Sequence, residues 1–132
     1  MADTDRSLRI LIADDDLTLL QLLDEALRLD GHEPSAVSTV DALLTMLRTT
    51  QFDLILTDMF ASDFSQAPAV LRELREAAHD TPIVLLTGWS EAVQKAPPEL
   101  GATGVLLKPF GLDALLELVD EVARQKETKP DT

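Results

Sequence analysis

Three consecutive aspartates, Asp14-Asp15-Asp16, close the apolar run Leu8-Arg9-Ile10-Leu11-Ile12-Ala13. Like charges repel, so folding alone gives no reason to gather carboxylates at the end of a buried segment. Such a cluster is costly unless a cation, a proton or a set of hydrogen bonds offsets it. Three further apolar runs end in polar residues: 52–57 runs into Asp58, 82–86 into Thr87, and 104–107 into Lys108-Pro109. Converging carboxylates with oxygen-only ligands suit a hard cation such as Mg2+, Mn2+ or Ca2+ rather than zinc. A carboxylate beside that cation can attack phosphorus. Lys108, the Thr87 hydroxyl and the Gly88 N–H would then supply charge and donors to the phosphoryl oxygens.

Taken singly, each residue has a plainer role. Asp16, directly before Leu17, reads as a helix N-cap. Asp58 alone reads as a turn residue, Thr87-Gly88 as a common strand exit and Lys108 as a solvated charge. Capping does not explain Asp14 and Asp15 together. The combination on four strand ends is what points to a site.

The elements that carry these residues alternate between strand-length apolar runs and longer segments of helical period, the pattern of an α/β domain with a parallel sheet. Residues 8–13 form the first strand, buried on both faces. Leu20, Leu23 and Leu27 make a helical stripe over about 17–30, stopped by Gly31. A weak strand follows at 33–37, and Pro34 places it at a sheet edge. Thr39 caps a second helix bearing Val40, Leu43, Leu44 and Leu47. Then come a strand at 53–57, an irregular stretch at 59–66, a helix at 67–78, a strand at 82–86, a helix at 90–100, a strand at 104–107 and a helix at 112–125. Pro97-Pro98 should end the fourth helix near Lys95 or Ala96. Right-handed crossovers leave few topologies, and strand order 2-1-3-4-5 keeps the Pro34 strand at an edge. In such a doubly wound sheet the ligand lies at the carboxyl ends of strands 1 and 3, where Asp14, Asp15 and Asp58 stand.

Bulk properties bound the rest. At 132 residues the chain is expected to be one domain with frayed ends at 1–6 and 126–132. The net charge of −13 argues against nucleic-acid binding, since phosphates would be repelled. No apolar stretch approaches the eighteen or so residues of a membrane span, and the acidic N-terminus lacks an apolar signal segment. With no cysteines there are no disulfides or thiolate metal sites, and the cytoplasm is the expected compartment. His32 and His79 are read as surface residues.

The five-point set Asp14-Asp15, Asp58, Thr87 and Lys108-Pro109 resembles the receiver domain of two-component response regulators, over roughly residues 8–124. The resemblance implies a flavodoxin-like (βα)5 three-layer sandwich and a role in signalling. Asp58 would accept a phosphoryl group from a phosphohistidine on a sensor histidine kinase or a histidine phosphotransfer protein. Asp15, Asp58 and the backbone carbonyl of Phe60 would bind Mg2+ or Mn2+, with Asp14 acting through water. Lys108 would bond the phosphoryl oxygens, and Lys108-Pro109 would be cis, as proline permits. Thr87, with the Gly88 backbone, would move toward the phosphoryl group and reshape the face of the fourth helix, last strand and final helix. That face would serve an unidentified output partner or a homodimer. Such a domain is not an enzyme beyond its own phosphotransfer and dephosphorylation.

The chain departs from the family pattern at several points. Val105 stands where the family usually has an aromatic residue three positions before the lysine, so an aromatic rotamer switch is impossible. The segment Asp58-Met59-Phe60-Ala61-Ser62-Asp63-Phe64-Ser65-Gln66 lacks the usual Pro and Gly. Two other functions compete with the receiver reading. Asp14-x-Asp16-x-Thr18 is similar to the nucleophile loop of haloacid-dehalogenase-type phosphatases, which would make Asp14 the nucleophile and leave Asp58 idle. A degenerate receiver would dock partners without being phosphorylated.

Phe60 and Trp89 each lie two residues past a site residue and are large enough to obstruct an attacking water at the pocket mouth. A phosphorylated form should therefore be long-lived, and Phe60→Ala and Trp89→Ala should each shorten its half-life severalfold. Retention of radiolabel after removal of the phosphodonor measures this, and equal decay in all three proteins would contradict it.

Overall fold

The computed structural model describes residues 7–58, 67–88 and 103–128. Its elements are β1 (Arg9–Ala13), α1 (Leu17–Leu29), β2 (Glu33–Val37), α2 (Val40–Thr49), β3 (Leu54–Thr57), α3 (Ala67–Ala78), β4 (Ile83–Thr87), β5 (Gly104–Leu107) and α4 (Leu112–Thr128). The irregular stretch expected at 59–66 and the helix expected at 90–100, with its stop before Pro97-Pro98, lie outside the described residues. So do Phe60 and Trp89.

All five strands run parallel in one sheet of order β2-β1-β3-β4-β5. The strand interiors are continuously apolar because both faces are covered. On one face Leu11, Ala13, Ile55, Ile83 and Leu85 pack with Leu43 and Leu44 of α2 and with Leu71 and Leu74 of α3. On the other, Ile10, Ile12, Leu54, Leu56, Val84 and Leu86 pack with Leu20, Leu23 and Leu27 of α1 and with Leu115 and Val119 of α4. This is the three-layer doubly wound arrangement, with charge expelled to the strand ends.

Pro34 sits on edge strand β2, paired with Ile10. The Glu33 N–H donates to the Leu8 carbonyl and the Val37 carbonyl accepts from the Asp14 N–H, so the odd-numbered residues of β2 face β1. Pro34 therefore points its missing donor outward, where no ladder bond is lost. The Arg28 guanidinium reaches the outward Pro34 carbonyl at 3.5 Å.

Helix ends follow local chemistry. Gly31 takes φ +93° after α1, and its N–H and that of His32 return to the Arg28 and Leu27 carbonyls. Only glycine enters that left-handed region without strain. His79 does so at φ +58° after α3, held by Arg75, whose guanidinium donates to the His79 and Thr81 carbonyls at 2.7 and 2.8 Å. The final helix runs three residues past its expected end at 125, because Lys126 and Glu127 favour helix and the first obstacle is Pro130. The helix thus extends through Thr128. Strand β4 is shifted by one residue from the expected 82–86, since Pro82 has no N–H for the ladder.

One expectation is corrected. His32 is buried, not a surface residue. Its Nδ1 accepts the Leu8 N–H at 3.0 Å inside the fold, and its Nε2 lies 3.5 Å from an Asp30 carboxylate oxygen. The imidazole thus completes the entry of β1 into the sheet. His32→Leu should leave a buried N–H without an acceptor and cost about 1–3 kcal/mol. Urea denaturation measures this as a lowered midpoint with an unchanged slope.

Candidate functional site

Parallel register brings the site together. Ala13 lies beside Thr57, and Thr57 beside Leu85, so Asp14 and Asp58 leave the sheet at the same level, both at carboxyl ends. The Asp58 N–H donates to the Ala13 carbonyl at 2.8 Å and holds the two strand ends together. Carboxylate oxygens of Asp14, Asp15 and Asp58 all lie within 4.8 Å of one another.

The three adjacent aspartates occupy different environments. Asp14 is fully buried; one oxygen accepts the Asp16 N–H at 2.9 Å and the other accepts Lys108 Nζ at 2.6 Å. Asp16 caps α1, accepting the Thr18 and Leu19 N–H groups at 3.0 and 3.2 Å, as expected for the residue before Leu17. Asp15 is exposed at the rim. Asp58 is half-buried between them. The donor set is oxygen-only and doubly open to solvent through Asp15 and Asp58, which fits a hard dication better than zinc or copper.

Lys108 follows β5, two strands away from β3 and three from β1. Its side chain reaches over the ends of β4 and β3 to meet Asp14, a residue 94 positions earlier in sequence. Its own N–H donates to the Thr87 carbonyl at 2.6 Å, which ties the β4 and β5 exits together. The Lys108-Pro109 peptide is cis. Thr87 is buried as the last residue of β4, level with Leu107 and one step beyond Asp58. Gly88 follows, exposed, with open space where a side chain would begin. Val105 is half-buried on the same sheet face as Leu85 and Thr57.

The structure thus places Asp14, Asp15, Asp58 and Lys108 in one cluster, and Thr87 and Gly88 at the adjoining strand end. The Phe60 carbonyl and the pocket-mouth pair Phe60 and Trp89 lie outside the described residues. Two contributors were not anticipated. The ion pair between Lys108 and Asp14 is one, because nothing in the local sequence of either residue points to the other. The other is Thr57, fully buried beside Asp58, whose hydroxyl donates to the Asp58 carbonyl at 2.6 Å. A threonine ending an otherwise Leu-Ile-Leu strand was the available signal.

Comparison with known proteins agrees with this geometry. The family model described as the response regulator receiver domain matches residues 10–120. The response regulator protein PmrA of Pseudomonas aeruginosa is 35% identical over 119 residues, covering 89% of this chain and 53% of PmrA. The response regulator protein FleR of the same organism is 35% identical over 115 residues, covering 84% of this chain and 24% of FleR. The chain therefore spans between a quarter and about half of these curated relatives. Among solved structures, the response regulator protein TrrA of Thermotoga maritima, in complex with Mg(2+)-BeF, superposes with a TM-score of 0.72 at 28% identity, covering 86% of this chain and 97% of that one. Among the described residues, no helix is long and apolar enough to cross a membrane.

Three carboxylates this close repel one another, and the Lys108 ammonium on Asp14 offsets that repulsion in part. Asp58→Asn should therefore stabilise the metal-free protein by about 1 kcal/mol through lost repulsion. Mg2+ should stabilise the wild type by about 2.7 kcal/mol at a hundredfold excess over its Kd and should stabilise Asp15→Asn and Asp58→Asn far less. Thermal unfolding with and without Mg2+ reads both effects; an equal Mg2+ response in all three proteins would contradict them.

Proposed function

The chain belongs to the response regulator receiver domain family, a family of phosphoacceptor signalling domains, and from that premise we propose that Asp58 is its phosphoacceptor. The carrying observation is the meeting of Asp14, Asp15 and Asp58 within 4.8 Å, with Lys108 anchored on Asp14. Membership in a two-component system implies a histidine kinase partner. The immediate donor is a phosphohistidine on a sensor kinase or a histidine phosphotransfer protein.

In this reading Asp58 presents a carboxylate oxygen to phosphorus; the new P–O bond forms as the P–N bond to imidazole breaks. Asp15, Asp58 and the Phe60 carbonyl would hold Mg2+, or Mn2+ in its place, and Asp14 would support it through water. When bound, that cation supplies charge that neutralises the carboxylates and the incoming phosphoryl oxygens. Lys108 turns from Asp14 toward the phosphoryl group, exchanging one anion for another within reach of the same ammonium. The Thr87 hydroxyl and the Gly88 N–H donate to the remaining oxygens. Val105 provides no ring to rotate, so any signal leaves through backbone shifts at the β4 and β5 exits, toward an output partner or a second copy. The reading includes a cytoplasmic site of action, a single domain over residues 1–132, and no role in nucleic-acid binding for this acidic chain.

The phosphatase alternative finds no support in the position of Asp14. Its side chain is fully buried and both its oxygens are engaged, by Lys108 and by the Asp16 N–H. A nucleophile must meet its substrate, and Asp58 is the more accessible carboxylate at the same level.

Incubation with acetyl phosphate and Mg2+ should add one phosphoryl group to the wild type by intact-mass measurement, and Asp58→Asn should gain none. No gain in the wild type would favour a docking domain that is never phosphorylated. A gain retained in Asp58→Asn would move the acceptor elsewhere.

A further inference from the structure

Thr57 ends β3 with a hydroxyl that the sheet does not need. It is fully buried, and register sets it between Ala13 and Leu85 on a face otherwise built of Leu11, Ile55, Ile83 and Leu85. Valine would fill the same volume there without a polar atom to satisfy. The hydroxyl instead donates to the carbonyl of the next residue, Asp58, at 2.6 Å.

That bond matters because of what flanks the Asp58 α-carbon. On its amino side, the Asp58 N–H is tied to the Ala13 carbonyl at 2.8 Å. On its carboxyl side, the Asp58 carbonyl is held by Thr57. The β3–β4 register pairs end at Thr57 and Leu85, so Asp58 stands just past the last of them. With both adjoining peptide groups anchored, φ and ψ at Asp58 are set, and with them the direction of its Cα–Cβ bond. A hydrogen bond made on this local scale favours one backbone conformation over its alternatives.

We propose that Thr57 is a positioning residue for Asp58. Its hydroxyl fixes the carboxylate against Asp14 and Asp15, so that cation and phosphoryl group meet a preformed site. This inference rests on Asp58 being the phosphoacceptor, and it predicts a defect in site geometry without a defect in folding.

The test compares wild type, Thr57→Val and Thr57→Ser in three measurements. Mn2+ affinity is read from the electron paramagnetic resonance signal of the free ion, phosphorylation rate from intact mass over time with acetyl phosphate, and stability from thermal unfolding. Thr57→Val should bind Mn2+ several times more weakly and phosphorylate several times more slowly, while its unfolding midpoint stays level or rises. Thr57→Ser, which keeps the hydroxyl, should stay within about twofold of wild type in affinity and rate, a difference under about 0.4 kcal/mol. Wild-type behaviour of Thr57→Val in both binding and rate would overturn the proposal. Equal impairment of Thr57→Ser and Thr57→Val would also overturn it, because the methyl packing rather than the hydroxyl would then be responsible. A wild type that neither binds Mn2+ nor gains a phosphoryl group would instead refute the phosphoacceptor reading itself.

Discussion

Mutual repulsion among Asp14, Asp15 and Asp58 is the constraint that the rest of this structure answers. Carboxylates within 4.8 Å of one another are tolerated only where opposite charge or strong donors lie close by. The fold supplies three such groups. Lys108 crosses the sheet end to Asp14. The Asp16 N–H donates to the other Asp14 oxygen. The amino end of α1, with its partial positive charge, begins directly after the cluster. These offsets are local and partial, since one ammonium faces three carboxylates. A hard dication placed among these oxygens would lower the repulsion that remains.

Much of this arrangement was legible in the sequence, because it depends on short-range pattern. Continuous apolar runs gave the strands, and the proline in the second run marked an edge whose outward carbonyl Arg28 now covers. Leucine spacing gave α1, while Asp16 and Thr39 announced their helices as caps that accept N–H groups two or three residues on. Site residues were legible for the same reason, since each ends a strand and parallel strands end together. What escaped were interactions whose partner lies far along the chain. His32 reads as a surface residue because its partner, the Leu8 N–H that needs its Nδ1, lies 24 positions earlier. Lys108 looked like a ligand for phosphate alone, since a resting partner 94 positions away leaves no local trace. Thr57 was hidden differently, because a β-branched residue in a strand is ordinary and only its hydroxyl geometry sets it apart.

The placement of charge along this chain also bears on its partners. A net charge of −13 sets a field that disfavours another strongly acidic body and favours a basic docking surface. Such a field acts chiefly on encounter rate and partner choice. The balance of charge within the Asp14, Asp15 and Asp58 cluster is set by close-range geometry, where distances of a few ångströms outweigh the screened field of the remaining surface. Val105 carries no aromatic ring, and beside it the β4 and β5 exits are joined by the Lys108 N–H and the Thr87 carbonyl.

Register links stability to function more tightly than any single contact does. Side chains alternate faces along a strand, so a slip of one residue in β3 would turn Asp58 toward the face packed by α2 and α3 and carry Leu56 there with it. The slip would empty the acidic cluster and strip two apolar layers of their partners at once. It is opposed at both ends of the strand. At the amino end the Asp53 carboxylate and N–H engage the Arg9 backbone at 2.8 Å each; at the carboxyl end the Asp58 N–H engages the Ala13 carbonyl. The hydrogen bonds that close the β1–β3 ladder are therefore the same ones that set the distance between the carboxylates. A population of misregistered molecules would lose packing and the carboxylate cluster together, so the site inherits its precision from the cooperativity of the sheet.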